Sequence, residues 1–561
     1  MMVRLFVISL TVGLSIGSLV ALCAHLFVQI ISTAQYLGQQ DYFGSGGYII
    51  FNHLTPFLWL LGGFLLVRLI AKLFQVDKWQ GPADAIYMVH RADGTLAPRQ
   101  GLATMLAALA SLGGGASLGQ YGPIVHMGAL FGSLFQRLSV RATLSNDVFV
   151  GCGVAAAISA GFQAPIAGII FAHEAVLRHF SARAIAPIAI ASITASALSS
   201  WLFGSSSFLQ IDIGNYDLLM VVPALLMGGV LFALIAIMLM ASQLKLAGWL
   251  AASRFSVWQI GLAGVFLLGI IATAVPETLG LGMSTISAML DGQYPVSILA
   301  VFLIAKILAV LIASSFGFVG GFVSPALFIG AAAGGMLALC LNMLGFDISV
   351  LLLMVAGMAA LSATIVGAPI AMVMLVFELT HSYDFAVAAM LSVVVATFLS
   401  HISFGHSLFD QQLAKRNIDI SKGRGHLELS ARNIKDIITQ NYLGFSPQTK
   451  AGDVLDAMVK HQQTEAYCID EQGQYVGKLM VYDLVRAKVS ETAGSLAVAD
   501  QISLTVTDNL QQAIERAANF VGETIPVLTE DSHLIAGVVT EGDLFAAYLD
   551  CQRDIQRIEH G

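Results

Sequence analysis

The stretch GQYGPIVHMGALFG (119–132) has a counterpart, GFVSPALFIGAAAG (321–334). Gly119, Pro123, Gly128 and Gly132 match Gly321, Pro325, Gly330 and Gly334 at a constant offset of 202 residues. A second pair lies just downstream. GVAAAISAGFQAPIAGIIFAHE (153–174) matches GMAALSATIVGAPIAMVMLVFELT (357–380), with Gly153 on Gly357, the two APIA runs together and Glu174 on Glu378. Two apolar halves broken by Gly and Pro at the same places are the mark of a transporter built from repeats. In inverted repeats the substrate sits between the halves, where broken helices point their N-termini inward.

The breaks have a chemical use. A helix N-terminus carries unpaired N–H groups and about half a positive charge, which suits an anion without any lysine. Proline in the first helical turn costs no hydrogen bond. Glycine before it lets a ligand approach the backbone. Gly122-Pro123 and Ser324-Pro325 fit this design, and Gly81-Pro82 in WQGPADAI (79–86) is a third candidate. A cation site would instead need intramembrane carboxylates or rings of carbonyl groups. Asp84, Glu174 and Glu378 are the acids available, and none stands at a break. Anion conduction is the better reading, ahead of a regulated divalent-cation channel.

Composition agrees with a membrane protein. The chain has 561 residues, 57% hydrophobic and 11% charged, with mean hydropathy +0.80. Apolar runs near 5–31, 52–74, 147–171, 183–203, 217–241, 257–275, 295–314, 347–377 and 383–400 approach the roughly 20 residues that span a bilayer. The first, which begins beside Arg4, is too long for a signal peptide and reads as a retained helix. A net charge of −8 argues against a nucleic-acid partner. The five cysteines are scattered and suggest neither disulfides nor zinc. No catalytic triad, metal motif or P-loop is visible, so an enzyme is not expected. Beyond about residue 410 the chain turns polar. The expected boundaries are a membrane domain over 1–416, with repeat halves of about 1–205 and 206–416, a linker over 417–430, and a tail of two units over 431–490 and 495–552.

These motifs resemble the CLC family of chloride channels and chloride/proton antiporters. GQYGPIVH resembles its G(K/R)EGPxxH, GGFVSPALFIGA (320–331) its GG(I/V)FxPxLxxGA, and FQAPIAGIIFAHEAVLRHF (162–180) its F(N/G)APLAGxxFxxEE. GHSLFDQQLAKR (405–416) is similar to the last membrane helix, and KWQGP (78–82) is a poor match to GSGIP. The resemblance implies an all-α polytopic membrane domain of two inverted repeats with many tilted, broken helices. It also implies a homodimer with one anion pathway per subunit, in a bacterial inner membrane with the tail cytosolic. The pathway residues it implies are Gly119, Gln120, Tyr121, Gly122 and Pro123, then Gly321, Phe322, Val323 and Ser324, then Phe409, with Trp79, Gln80 and Gly81.

The departures are informative. The family's gating glutamate, which carries protons in the antiporters, is Tyr121 here, and Gln120 replaces its basic neighbour. A phenol, with a reference pKa of about 10, is neutral at physiological pH and cannot titrate as a gate. The inner proton-relay glutamate falls on Ala175, beside Glu174. Glu174 and Glu378 read as structural, and His173 is the rival relay. The family's tyrosine donor is Phe409, and its serine donor falls on Trp79 or Gln80. On one reading the Tyr121 hydroxyl, with Gln80, supplies the donor Phe409 lacks; on the other Tyr121 is an aromatic plug or packing residue. The expectation is a passive, voltage- or ligand-modulated chloride channel, with an antiporter using an unfamiliar relay as the alternative.

The tail holds two similar units, with Gly477 and Asp483 of the first aligned on Gly537 and Asp543 of the second. IPVLTEDSHLIAGVVTEGDL (525–544) resembles a CBS motif, so the tail looks like a tandem α/β CBS pair. The resemblance would place Thr540 and Asp543 on a nucleotide's phosphate and ribose. The first unit keeps Asp483 but has Met480 or Val481 near the threonine position. One adenine-nucleotide site is expected at most. No cofactor is expected to be required.

Overall fold

The computed structural model describes residues 2–39, 49–91, 96–138, 144–180, 182–204, 218–488, 490–499, 502–530 and 533–560. The chain forms two compact units, Met1–Ile418 and Asp419–Gly561.

The first unit is helical. Its first half runs α1 (Met2–Gln39), α2 (Ile49–Phe74), α3 (Pro82–Val89), α4 (Pro98–Gly113), α5 (Tyr121–Leu138), α6 (Asn146–Phe162), α7 (Pro165–Phe171) with a π-helical continuation (Ala172–Leu177), and α8 (Ala182–Phe203). The second half runs α9 (Leu218–Ala252), α10 (Val257–Ala274), α11 (Met283–Leu290), α12 (Val296–Ser315), α13 (Val323–Met343), α14 (Val350–Val366), α15 (Pro369–Thr380) and α16 (Tyr383–Ser403), followed by α17 (Leu408–Ala414). The packing recurs as well as the order. α5 lies on α6 as α13 lies on α14, α1 on α8 as α9 on α16, and α2 on α4 as α10 on α12.

The repeated glycines explain the tightest crossings. A Cβ on Gly128 would lie 2.1 Å from the Gly153 carbonyl oxygen, and one on Gly330 would lie 2.3 Å from that of Gly357. One turn on, Gly132 and Gly334 meet the Phe149 and Leu353 carbonyls in the same way. Backbone-to-backbone approach of this kind is how helices associate where lipid removes the hydrophobic drive between them.

Eight helices among the described residues are long and apolar enough to cross a bilayer. The nine apolar runs differ from these in three places. The runs 147–171 and 347–377 are each two helices, broken before Pro165 and Pro369 at the left-handed residues Gln163 and Gly367. Proline cannot continue a helix from the turn before it. Val323–Met343 is long and apolar enough to cross in addition, although its glycines and alanines dilute its apolar signal.

The second unit has two three-stranded sheets. β1 (Gly444–Phe445), β2 (Glu465–Ile469) and β3 (Tyr475–Met480) form the first, and β4 (Leu504–Thr505), β5 (Thr524–Leu528) and β6 (Ile535–Thr540) the second. In each, the central strand pairs parallel with the first strand and antiparallel with the last. Gly477 and Gly537 occupy the same register, opposite Cys468 and Val527. Each sheet also takes a bridge from the segment leading into the other unit, Val498 on Lys478 and Thr439 on Val538. The tail helices are α18 (Gly423–Ala431), α19 (Ala451–Lys460), α20 (Val481–Arg486), α21 (Ala493–Leu496), α22 (Leu510–Ala517) and α23 (Glu541–His560). Residues 417–430, expected as a linker, contain most of α18. Its Leu427 and Leu429 are buried, and it packs on α22 and α23.

A buried ion pair joins the two sheets. Lys478 Nζ lies 2.8 Å from Glu465 Oε2 and donates to the Thr524 carbonyl at 2.8 Å. Glu465 also accepts from the Glu523 and Thr524 amides, each at 2.9 Å, and from the Thr524 hydroxyl at 2.8 Å. Burial pushes the Glu465 carboxyl up, but the Lys478 bond and the three N–H and O–H donors outweigh it and hold it below the ordinary carboxylate range. A depressed carboxyl stabilises the fold above its unfolded pKa of about 4.3, and that stability is lost as pH falls through the folded value. Hydrogen exchange of β2 and β5 in the full-length protein should therefore accelerate as pH drops below about 4, after correction for intrinsic exchange. Lys478→Met should cost the tail about 3–5 kcal/mol at neutral pH, because it strands a buried carboxylate.

Candidate functional site

The two halves meet at a backbone clasp. Gly119 N donates to Gly321 O and Gly321 N to Gly119 O, each at 2.7 Å. A Cβ on Gly122 would lie 2.9 Å from Gly321 Cα, so only glycine lets the two strands close. Immediately beyond the clasp, α5 and α13 begin. The first helical bonds at these ends are Ile124 N to Gln120 O and Ala326 N to Phe322 O. The N–H groups of Tyr121, Gly122, Val323 and Ser324 precede them and have no intrahelical acceptor. Pro123 and Pro325 fill the first turns without adding an orphan donor. The sequence repeat thus brings two helix N-termini together, one from each half.

α3 starts against this junction, with the Pro82 ring 3.7 Å from a Cβ placed on Gly122. Its N–H groups are less available. Asp84 Oδ2 accepts from Gly81 N at 2.8 Å, and Asp84 Oδ1 pairs with Arg416 Nη1 at 2.7 Å. Gln80 is engaged through its backbone N–H to Thr104 Oγ1 and through its amide to Gln100 Oε1, both at 3.1 Å. Trp79 is half-buried in the preceding loop. Phe409 is buried in α17, whose start is capped by the Ser407 hydroxyl on Asp410 N at 3.2 Å and tied by an Arg178–Asp410 pair.

Tyr121 is 3% exposed. Its ring stacks on Phe162, with centroids 3.7 Å apart and planes at 12°. Its hydroxyl donates to the Gly161 carbonyl at 3.4 Å, where α6 ends. The Tyr121 hydroxyl and the Gln80 amide N–H thus have separate protein partners, while the Gln80 amide oxygen is buried without one.

Glu174 and Glu378 cap each other's helices. Glu378 accepts from Ile166 N at 2.8 Å and Ala167 N at 2.7 Å, at the start of α7. Glu174 accepts from Ile370 N at 3.0 Å and Ala371 N at 2.8 Å, at the start of α15. The two APIA helices therefore run antiparallel, each closing the other's N-terminus, as inversion of the repeat requires. Ala175 is buried in the π-helical turn. His173 beside it stacks on Phe180 and turns Nδ1 to the His179 carbonyl at 3.0 Å, while its Nε2 is buried without a partner.

Two buried groups escaped the sequence reading. His126, on α5, is fully buried beside the Gly81 backbone and the Asp84 carboxylate, and neither ring nitrogen makes a well-formed hydrogen bond. Lys306, on α12, is fully buried and donates to the Thr278 and Gly280 carbonyls at 2.8 and 3.1 Å. Its Nζ lies 4.9 Å from the centroid of Phe328, one turn into α13. A lone ionisable residue in a 20-residue apolar helix was the available signal for Lys306.

In the tail, Thr540 and Asp543 bond each other across the start of α23. Thr540 Oγ1 donates to Asp543 Oδ2 at 2.7 Å, and Asp543 N donates to Thr540 Oγ1 at 3.0 Å. The first unit has Asp483 on α20 and no hydroxyl at the matching Met480–Val481. Among the described residues no cluster of three or more His, Cys, Asp or Glu could hold a metal.

Comparison with known proteins adds the following. A family model described as voltage gated chloride channel matches residues 62–401, and a CBS domain model matches 434–490 and 493–550. A putative chloride channel protein ClcB-like from Ralstonia nicotianae is 29% identical over 356 residues, covering 61% of this chain and 82% of that protein. The voltage-gated ClC-type chloride channel ClcB of Escherichia coli is 27% identical, covering 65% and 87%. Among solved structures, a slow cyanobacterial Cl−/H+ antiporter has TM-score 0.66 at 21% identity, covering 73% of this chain and 99% of that one. A eukaryotic CLC transporter has TM-score 0.62 at 16% identity, covering 97% and 98%. At these identities the two structures speak for the fold alone. The repeated broken helices, the clasp between their N-termini and the match over 62–401 lead to one conclusion: this chain belongs to the CLC family of voltage-gated chloride channels and related transporters, and carries a tandem CBS tail.

Proposed function

We propose that the protein conducts chloride passively across a bilayer, between the N-termini of α5 and α13, without tight coupling to protons. The observation that carries this is Tyr121 at the first turn of α5, with its ring on Phe162 and its hydroxyl on the Gly161 carbonyl. No carboxylate stands there to compete with an anion or to carry a proton. The unpaired N–H groups at the two helix starts supply the attraction. Chloride efflux from vesicles holding the purified protein tests this. A rate above that of empty vesicles supports a pathway, and no release sinks it.

The alternative, coupled exchange through an imidazole relay, draws on the buried unpartnered nitrogens of His173 and His126. A proton would need a continuous chain from these rings to both faces, and Ala175 gives it no acid at the inner position. Ile193 on α8, Ile370 on α15 and Val394 and Phe398 on α16 are exposed apolar residues, which suits burial against a second copy in a homodimer. A bacterial inner membrane with the tail in the cytosol is the expected setting. Pathway residues beyond Tyr121 are taken as Gly119, Gln120, Gly122, Pro123, Gly321, Phe322, Val323 and Ser324, with Phe409, Trp79, Gln80 and Gly81 around them.

The tail is proposed to hold one adenine nucleotide, at Thr540 and Asp543. Their mutual bonds would open to admit a ribose diol and a phosphate. Calorimetry with ATP, ADP and AMP should show at most one site per chain, lost in Asp543→Ala and kept in Asp483→Ala. Two sites, or loss only in Asp483→Ala, would contradict the assignment.

A further inference from the structure

Two buried side-chain oxygens at the clasp lack partners. Ser324 is fully buried, and its hydroxyl makes no hydrogen bond. A Cβ on Gly119 would lie 2.9 Å from Ser324 Oγ, so this hydroxyl faces the strand that leads into α5 from the other repeat. Gln120, next in that strand, is 6% exposed, and its amide oxygen is likewise unpartnered. The Gln120 amide lies beside the Tyr121 hydroxyl. Of the other polar groups nearby, Asp84 is held by Gly81 and Arg416 and Ser407 by Asp410, while the Gln80 amide N–H donates to Gln100 and its buried oxygen, like the His126 ring, has no partner.

Leaving a buried polar group unpaired costs folding free energy, so such groups call for a reason. Here two of them, one from each repeat, belong to the residues that form the junction of two helix N-termini, Ser324 in the first turn of α13 and Gln120 just before α5. Both can donate. A hydroxyl turns its O–H, and a primary amide turns its NH2 into the place of its oxygen. Together with the free N–H groups of Tyr121, Gly122, Val323 and Ser324 they make a shell of donors with no carboxylate in it. Such a shell is complementary to a dehydrated anion.

We propose that Ser324 and Gln120 are the side-chain donors that replace water around the anion at the clasp, and that they set which anions pass. This rests on the anion-pathway reading above. It moves the donor role away from Tyr121, whose hydroxyl donates to Gly161, and from Gln80, whose amide N–H donates to Gln100. A filter that substitutes fixed dipoles for a hydration shell favours strongly hydrated ions only while the dipoles are present. Removing a donor should therefore penalise chloride more than weakly hydrated thiocyanate.

The test uses the full-length protein in liposomes, with efflux of chloride and of thiocyanate measured separately. Ser324→Ala removes one atom from a buried site, and Gln120→Met keeps nearly the same volume. Each should lower the chloride-to-thiocyanate rate ratio about tenfold, the usual scale for one hydrogen bond to a charged group. Ser133→Ala, which deletes another buried unpartnered hydroxyl further along α5, should leave the ratio unchanged. An unchanged ratio in either clasp variant, or an equal shift in Ser133→Ala, overturns the assignment. Wild-type vesicles that release neither anion would sink the pathway reading itself, and this inference with it.

Discussion

Glu378→Ala should sharply destabilise the membrane unit, by about 3–5 kcal/mol, and Glu174→Ala should do the same. Each carboxylate accepts two backbone N–H bonds at the first turn of the other repeat's helix. Hydrogen bonds to a charged group contribute about 1.5–3 kcal/mol each, and the anion also meets the positive end of the helix dipole. Water is not at hand to replace them, since Ile166 and Ile370 lie on the apolar surface. Glutamine keeps one acceptor, so Glu378→Gln should lose about half as much. Thermal unfolding in detergent, followed by tryptophan fluorescence and size exclusion, reads the order wild type, Gln, Ala. Equal midpoints for all three would refute the cross-capping role.

The second large effect is on transport. Tyr121→Glu should make anion flux depend steeply on pH, with flux at pH 7.5 about tenfold or more below that at pH 4.5. A glutamate is shorter than tyrosine and gives up the stack on Phe162. Its carboxylate would be drawn to the free N–H groups of α5 and α13, the same donors an anion uses. A charge there repels chloride by about 4 kcal/mol at 4 Å and an effective dielectric of 20. Protonation near the ordinary carboxylate range removes that charge and reopens the path. Tyr121→Phe should change flux less than about twofold, because it deletes only a long bond to Gly161 and keeps the ring. A pH-independent Tyr121→Glu would place the anion somewhere other than the clasp.

The repeat was legible because it rests on backbone contact. Gly128, Gly132, Gly330 and Gly334 cannot be larger, and Pro123 and Pro325 start helices wherever they stand, so the pattern survives in an apolar chain that otherwise carries little information. Side-chain partners were less legible. Glu174 and Glu378 read as structural, but their acceptor role needs a fold that brings positions some 200 residues apart together. Tyr121, standing where the resemblance expects a glutamate, led to the proposal of a pathway without a titrating gate, yet only coordinates could show its hydroxyl turned to Gly161. Apolar runs hid their own breaks at Pro165 and Pro369, since hydropathy averages over a helix end. Residues 423–431 look polar, but Leu427 and Leu429 are both buried, and α18 packs on α22 and α23, contacts a local reading does not show. His126 and Lys306 are single residues in apolar helices, and what surrounds them is tertiary.

The most direct measurement follows proton movement in reconstituted vesicles. With a chloride gradient imposed and no pH gradient at the start, a passive pathway moves chloride and leaves the pH trace on that of protein-free vesicles once a protonophore-clamped control is subtracted. Protons driven uphill in fixed proportion to chloride would contradict uncoupled conduction and would show that the chain relays protons without a glutamate at Tyr121 or Ala175.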